Sequence, residues 1–316
     1  MFCKFINNIK IDWMLNIGIK TAILSIIVVI PLSGYVLWLS EQNRENIQQV
    51  SEHHEILVTF YPIYKFAKAV GGDKVDVSVI IPSGVEPHDW EPTVQDIEHL
   101  KKANMIIING AGLEPWTSKL VSENPNITII DSSKNIHLLE KNENTNMTDP
   151  HIWLDPVLAK IQVQNIADGL IKIDPTNADY YQQNANQYKA KLDLLDNQIR
   201  TELGTCNKKD FLAFHDAFSY FSKEYGLNQN TIVGGLNPEA EPTAQTLQEI
   251  VNKAHDLGIH VIFTEEAVNP QISKVIADEI HGKVLVLSPL EVTSTNDDYI
   301  QKMQDNLSNL KEALCS

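Results

Sequence analysis

Basic residues are scarce in this 316-residue chain: 25 Lys and Arg stand against 41 Asp and Glu, a formal charge of −16. Binding a phosphate backbone takes clustered Lys and Arg, so a nucleic-acid partner is not expected. No H-E-x-x-H helix or nucleophile-elbow string occurs, which removes two common signatures of hydrolysis. Internal repeats are missing, and the one biased tract is the Asn-rich stretch 142–146, read as a surface loop. Cysteine is limited to Cys3, Cys206 and Cys315. A bridge between the last two and a pair of unpaired thiols both remain open, because spacing alone does not bring Cys206 near the C-terminus.

What the chain does have begins with an uncharged apolar run at 21–39, about the length needed to cross a bilayer core as a helix. Lys4, Lys10 and Lys20 precede it, and Glu41 and Glu45 follow it with Arg44. The positive-inside bias then predicts a cytoplasmic segment at 1–20, an N-terminal transmembrane helix as anchor at 21–40 and a connector at 41–52, with the bulk of the chain extracytoplasmic. A cleaved signal peptide is the competing reading, but the run is long and lacks an A-x-A-like site. No cysteine lies just after the run to take a lipid. Sequons at Asn126, Asn146 and Asn306 are compatible with export.

Beyond the connector, 43% hydrophobic and 21% charged residues exclude whole-chain disorder. Short Val- and Ile-rich runs alternate with helical patterns, the rhythm of an α/β protein with parallel sheets. Strands are expected at 56–60, 75–81, 105–109 and 127–130, and helices at 63–70 and 94–103, within a lobe spanning 53–175. Pro156 opens a helix to about residue 173, and a long linking helix covers 178–203 within 176–205. A second Rossmann-like lobe, 206–316, has expected strands at 211–214, 231–233, 261–264 and 284–287 and helices at 243–257, 271–280 and 298–314.

Four candidate metal ligands lie after a predicted strand or in the loop that it feeds: His88 in GVEPHDWEPT, His151 in DPHIWLDP, His215 in FLAFHDAF and Glu291 in LSPLE. Ligands of open α/β sheets bind outside the carboxyl ends of the strands, so two residues from each lobe would meet between the lobes. Three imidazoles and one carboxylate suit four-coordinate zinc, whereas manganese favours more oxygen. His53, His54, His99, His137, His255, His260 and His281 read as surface or packing residues. Asp89, Asp155 and Asp216 are candidates to orient the imidazoles, with turn or helix capping as the alternative. Trp90, Trp116 and Trp153 read as packing around the crevice, and Glu241 as a helix-start residue.

From residue 56 to 313 the chain resembles the metal-binding solute-binding proteins of zinc and manganese ABC importers. The motifs EPHDWEPT, GAGLEPW, DPHIWLDP, AFHDAFSYF, GGLNPEAEPT and LSPLE occur in that family's order. The resemblance implies two α/β lobes joined by one rigid helix, with a metal between them that passes to a membrane permease. It assigns His88, His151 and His215 as ligands and matches Glu291 to the glutamate of the zinc-type SPLE ending. Ser288 stands where many zinc members carry Asp, so Glu265, Glu266 or a water is an alternative fourth ligand. The family's His-rich loop is replaced by the Asn-rich one near Asn144.

The expectation is a monomeric zinc-capturing protein, not an enzyme, serving an ABC importer permease, with Mn2+ or Fe2+ as alternative ions. A zinc hydrolase and an adhesin or sensor ectodomain are the competing classes. Three neutral imidazoles further predict that affinity falls as pH drops through about 6.5.

Overall fold

A computed structural model describes residues 35, 54–103, 105–125, 127–142, 147–235 and 242–315. All of the expected anchor except Tyr35 lies outside this set, as do the connector, His53, Asn126, Asn144, Asn146 and Glu241. No helix among the described residues is long and apolar enough to cross a membrane.

The region from His53 to Ser316 forms one compact unit containing two four-stranded parallel sheets. The first comprises β1 (His54–Val58), β2 (Val75–Val79), β3 (Met105–Ile108) and β4 (Thr128–Asp131), in the order β2-β1-β3-β4. Its helices are α1 (Tyr61–Gly71), α2 (Val94–Leu100) and α3 (Thr117–Glu123). A small antiparallel pair follows, β5 (Glu140–Asn142) with β6 (Met147–Thr148). Next come α4 (Pro156–Ile173) and the 27-residue α5 (Ala178–Gly204). The second sheet contains β7 (Asp210–Ala213), β8 (Asn228–Thr231), β9 (Val261–Thr264) and β10 (Lys283–Val286), in the order β10-β9-β7-β8. Its helices are α6 (Ser219–Tyr225), α7 (Ala244–Asp256), α8 (Gln271–Glu279) and α9 (Tyr299–Leu314).

Local chemistry accounts for the helix starts. Thr93 and Asp96 form a capping box at α2, and the Asp155 carboxylate accepts the Val157 N–H at 2.8 Å with Pro156 in the first turn of α4. Helix α5 buries Tyr181, Ala185, Leu192, Leu195, Ile199 and Leu203 in one apolar cluster shared with strands of both sheets. Each buried Leu or Ile among them contributes about 1.5–3 kcal/mol relative to exposure, so the long helix is held along its length by the core that it joins. A disulfide between Cys206 and Cys315 ties the segment after α5 to the end of α9.

Three expectations need correction. The strand expected at 231–233 is β8 at Asn228–Thr231, because an edge strand tolerates the polar sequence NQNT while Ile232 and Val233 bury themselves beyond it. The seven-residue helices α3 and α6 and the β5–β6 pair were not anticipated, since such short elements carry little periodic signal. Asn306 is only 3% exposed and its amide bonds the Ser288 backbone at both ends, so that sequon is structural.

Candidate metal centre

All four expected ligands converge. His88 lies in the loop between β2 and α2, His151 before α4, His215 after β7, and Glu291 after β10. One ligating atom from each lies within 4.8 Å of the others, the one such group of three or more His, Cys, Asp or Glu among the described residues. Nε2 of His151 is 3.1 Å from Nε2 of His88, 3.3 Å from Nε2 of His215 and 3.0 Å from Oε1 of Glu291. Glu291 Oε1 is 3.3 Å from His88 Nε2 and 3.8 Å from His215 Nε2. A tetrahedral zinc shell with bonds of about 2.0–2.2 Å has edges of about 3.3–3.6 Å, so the donor set suits that ion.

The outer faces of the imidazoles make the same point. His151 Nδ1 lies 2.7 Å from Asp149 Oδ1, and His215 Nδ1 lies 2.7 Å from Glu265 Oε1. An Nδ1–H donated to a carboxylate leaves Nε2 with its lone pair turned inward. Two such nitrogens 3.3 Å apart repel unless a proton or cation lies between them. Glu291 Oε2 is also buried without a hydrogen-bond partner among the described residues.

Loop chemistry aims these groups. In the turn GAGLEPW, the buried Glu114 carboxylate accepts the N–H groups of Asn109 (2.8 Å) and Gly110 (3.0 Å). Gly110 has φ +79°, and a Cβ there would fall 1.9 Å from Asp131 Oδ1, so glycine is required. From this turn, Asn109 donates to the Pro150 carbonyl at 2.9 Å and Ala111 accepts from Thr148 at 2.8 Å, which holds the Asp149–His151 segment. On the opposite side Leu290 has φ +63°, an unfavourable conformation for a branched residue, immediately before Glu291. Ser288 stabilises it by accepting the Leu290 N–H at 3.2 Å. The His88 loop is tied across the crevice by the Gly84 N–H, which donates to the Val292 carbonyl at 3.1 Å.

Burial differs among the four residues. The His151 and His215 side chains are fully enclosed, whereas His88 keeps 9% of its side-chain exposure. His88 also edges a cleft of about 460 Å³ lined by Trp90, Pro115, Trp116 and Lys119. Burial pulls the His88 imidazole below its ordinary range. Burial acts the same way on His151, but the charges of Asp149 and Glu291 outweigh it and push His151 up to about 10. Burial alone would raise the Glu291 carboxyl, yet the surrounding histidines hold it well below the usual carboxylate range. Glu86, whose Oε1 accepts the His88 N–H at 3.1 Å, is pushed up to about 9 by burial and by the nearby charge of Glu291.

Asp155 and Asp216 take the alternative role, capping or turn bonding. Asp155 caps α4; Asp216 accepts from Ser219 and Gln229; and Asp89 is an exposed loop residue. The partners are Asp149 and Glu265 instead. Asp149 lies only two residues before His151 in TDPH, a spacing that could have signalled it. Glu265, considered as a fourth ligand, bonds the far side of His215, and Glu266 lies 3.5 Å from Lys302. His54, His99, His137, His255, His260 and His281 are outside the cluster.

Comparison with known proteins agrees with this geometry. The family model for ZnuA, described as zinc-uptake complex component A periplasmic, matches residues 56–313. The high-affinity zinc uptake system protein ZnuA of Bacillus subtilis (strain 168) is 38% identical over 82% of this chain and 87% of its own length. The Zn(II)-bound ZnuA-like domain of Streptococcus pneumoniae AdcA superposes with a TM-score of 0.75 at 32% identity, over 84% of this chain and 100% of that one. The laminin-binding protein Lmb of Streptococcus agalactiae, described as bifunctional with adhesin and metal transporting activity, gives a TM-score of 0.76 at 34% identity, over 82% and 99% of the two chains. Longer streptococcal zinc-binding relatives are matched over only 57–59% of their length. With a family model covering most of its length, the chain belongs to the ZnuA family, the zinc-binding solute-binding components of zinc importers rather than enzymes.

Proposed function

We propose that the chain captures one Zn2+ through Nε2 of His88, His151 and His215 and Oε1 of Glu291, then passes it to an ABC importer permease. The observation that carries this reading is the convergence of four donor atoms within 4.8 Å, at separations near the edges of a tetrahedron. A fourth protein donor leaves no open coordination position for an activated water, which argues against hydrolysis. His88, the least enclosed ligand, borders the cleft and is the natural first and last contact of the ion.

The chain works outside the cytoplasm in this reading. The Cys206–Cys315 disulfide suits an oxidising compartment, and the run at 21–39 would serve as the N-terminal anchor of a monomer. The lobes at 53–175 and 206–316, with the helix at 176–205 between them, would hold two ligands each. Adhesion is an activity of the S. agalactiae relative and has no separate support from residues of this chain.

Metal analysis and competition titration of the protein, with zinc against manganese, test the reading. One tightly held zinc per chain is expected, strongly weakened by His151→Ala or His215→Ala and less by Glu291→Ala if water fills the place. A clear preference for manganese or iron would transfer the site to those ions. No stoichiometric metal would end the reading.

A further inference from the structure

We propose that Lys141 is a positioning residue of the zinc site, its ammonium tying the carboxylate behind His151 to the segment that carries His215. The inference rests on the four-ligand reading above and adds a residue that touches neither metal nor ligand.

Lys141 lies on β5, and its Nζ donates a hydrogen bond to Ser219 Oγ and forms ion pairs with two carboxylate oxygens. Asp149 Oδ2 is at 3.0 Å, Asp216 Oδ2 at 2.6 Å and Ser219 Oγ at 2.6 Å. Asp149 is fully buried, with its other oxygen accepting from the His151 backbone N–H (3.0 Å) and facing Nδ1 (2.7 Å). Asp216 directly follows His215, and its second oxygen accepts from Ser219 Oγ at 2.8 Å and Gln229 Nε2 at 2.6 Å. The connection therefore runs His151–Asp149–Lys141–Asp216, ending at the residue covalently joined to His215. Tyr220 reinforces it, donating to the Asp149 carbonyl at 2.8 Å while accepting the Leu139 N–H at 2.9 Å.

A surface ion pair is worth little, but this one lies largely out of solvent: Lys141 is 16% exposed and Asp149 is not exposed at all. Without the ammonium, Asp149 Oδ2 is left buried and uncompensated, a costly arrangement that it relieves by rotating away from His151. The imidazole then loses the partner that sets its orientation. The two ligand-bearing segments, from opposite sides of the crevice, also lose the cation between them. Groups that orient metal ligands commonly change affinity by about 10–100-fold, and Lys141 acts one contact further out, so about tenfold is expected.

The experiment measures zinc affinity by chelator competition and release rate by stopped flow, for the parent, Lys141→Met, Asp216→Asn and the double variant, with folding checked by circular dichroism. Expected are an affinity loss of about tenfold in Lys141→Met, a smaller loss in Asp216→Asn, and no further loss beyond about twofold when the two are combined, since both cut one connection. Faster release should accompany the weaker binding, and Lys141→Arg should restore most of it. Parental affinity in folded Lys141→Met, or losses that multiply in the double variant, overturns the proposal and leaves Lys141 a structural ion pair. If Lys141→Met does not fold, Asp216→Asn decides: weakened zinc supports the connection and parental affinity overturns it. His151→Ala separates the two readings, because tight zinc retained there removes the four-residue site itself.

Discussion

The indole N–H of Trp153 donates to the carbonyl of Pro289 at 2.8 Å, joining the segment two residues after His151 to the segment two residues before Glu291. Trp153 is fully buried and meets Phe60 edge to face at 4.7 Å, while its own carbonyl accepts from the Tyr299 hydroxyl at 2.6 Å. Two ligand loops from different sheets thus share one anchor. Trp153→Phe keeps an aromatic ring but strands the Pro289 carbonyl. A stability loss of about 1–3 kcal/mol is expected in metal-free denaturant unfolding. Severalfold weaker zinc binding should accompany it, as the loop carrying Leu290 and Glu291 loosens.

Protons should leave when zinc binds. His151 at about 10 carries a proton at neutral pH in the metal-free protein, whereas His88 is shifted down and is already a free donor. Close to one proton released per zinc between pH 7 and 8 is therefore expected, measurable by calorimetry in buffers of different ionisation enthalpy. Affinity should rise with pH toward 10, a higher window than the ordinary histidine range that the sequence suggested. The sign for folding is opposite. A histidine raised from about 6.5 stabilises the metal-free fold fully below that pH, and the contribution is lost as pH rises through 10. Zinc affinity that is flat from pH 6 to 9 would contradict this account.

Glu265→Gln keeps a carbonyl oxygen for His215 Nδ1 but removes the charge. Zinc affinity should fall by about tenfold or more, with a smaller loss than in His215→Ala. Unchanged affinity would mean that packing alone orients His215.

Opening the Cys206–Cys315 bridge should cost stability without touching the metal. The bridge spans 109 residues, and a loop of about 100 residues corresponds to about 4–5 kcal/mol of chain entropy in the unfolded state. Urea unfolding of the Cys206→Ala, Cys315→Ala double variant should show most of that loss, while zinc titration of the folded protein stays at the parental value. Zinc at about 100 times its Kd should return about 2.7 kcal/mol to either protein by mass action, and a chelator should remove it.

The elements legible in sequence are those with enough residues to show a period. Helix α5 (Ala178–Gly204) was expected at 178–203, and α4 begins where Pro156 predicts. The short β8 and α6 were displaced or missed because four polar or seven mixed residues carry no such signal, and neighbouring strands and the core decide their conformation.

The site divides along the same line. By itself the sequence determined the kinds of donor atom available and the strand ends that bring them to the crevice, because side-chain chemistry is covalent and each ligand lies in its own local motif. Only the tertiary structure decided which groups from distant segments stand behind the donors. Glu265 reaches His215 across 50 residues, and Lys141 reaches Asp216 from a hairpin that the periodicity did not reveal. The first pairing exists only once β7 and β9 lie side by side in the second sheet and the second only once the β5–β6 pair packs beside β7, because a buried carboxylate or ammonium takes whichever opposite partner the finished fold brings within hydrogen-bonding distance.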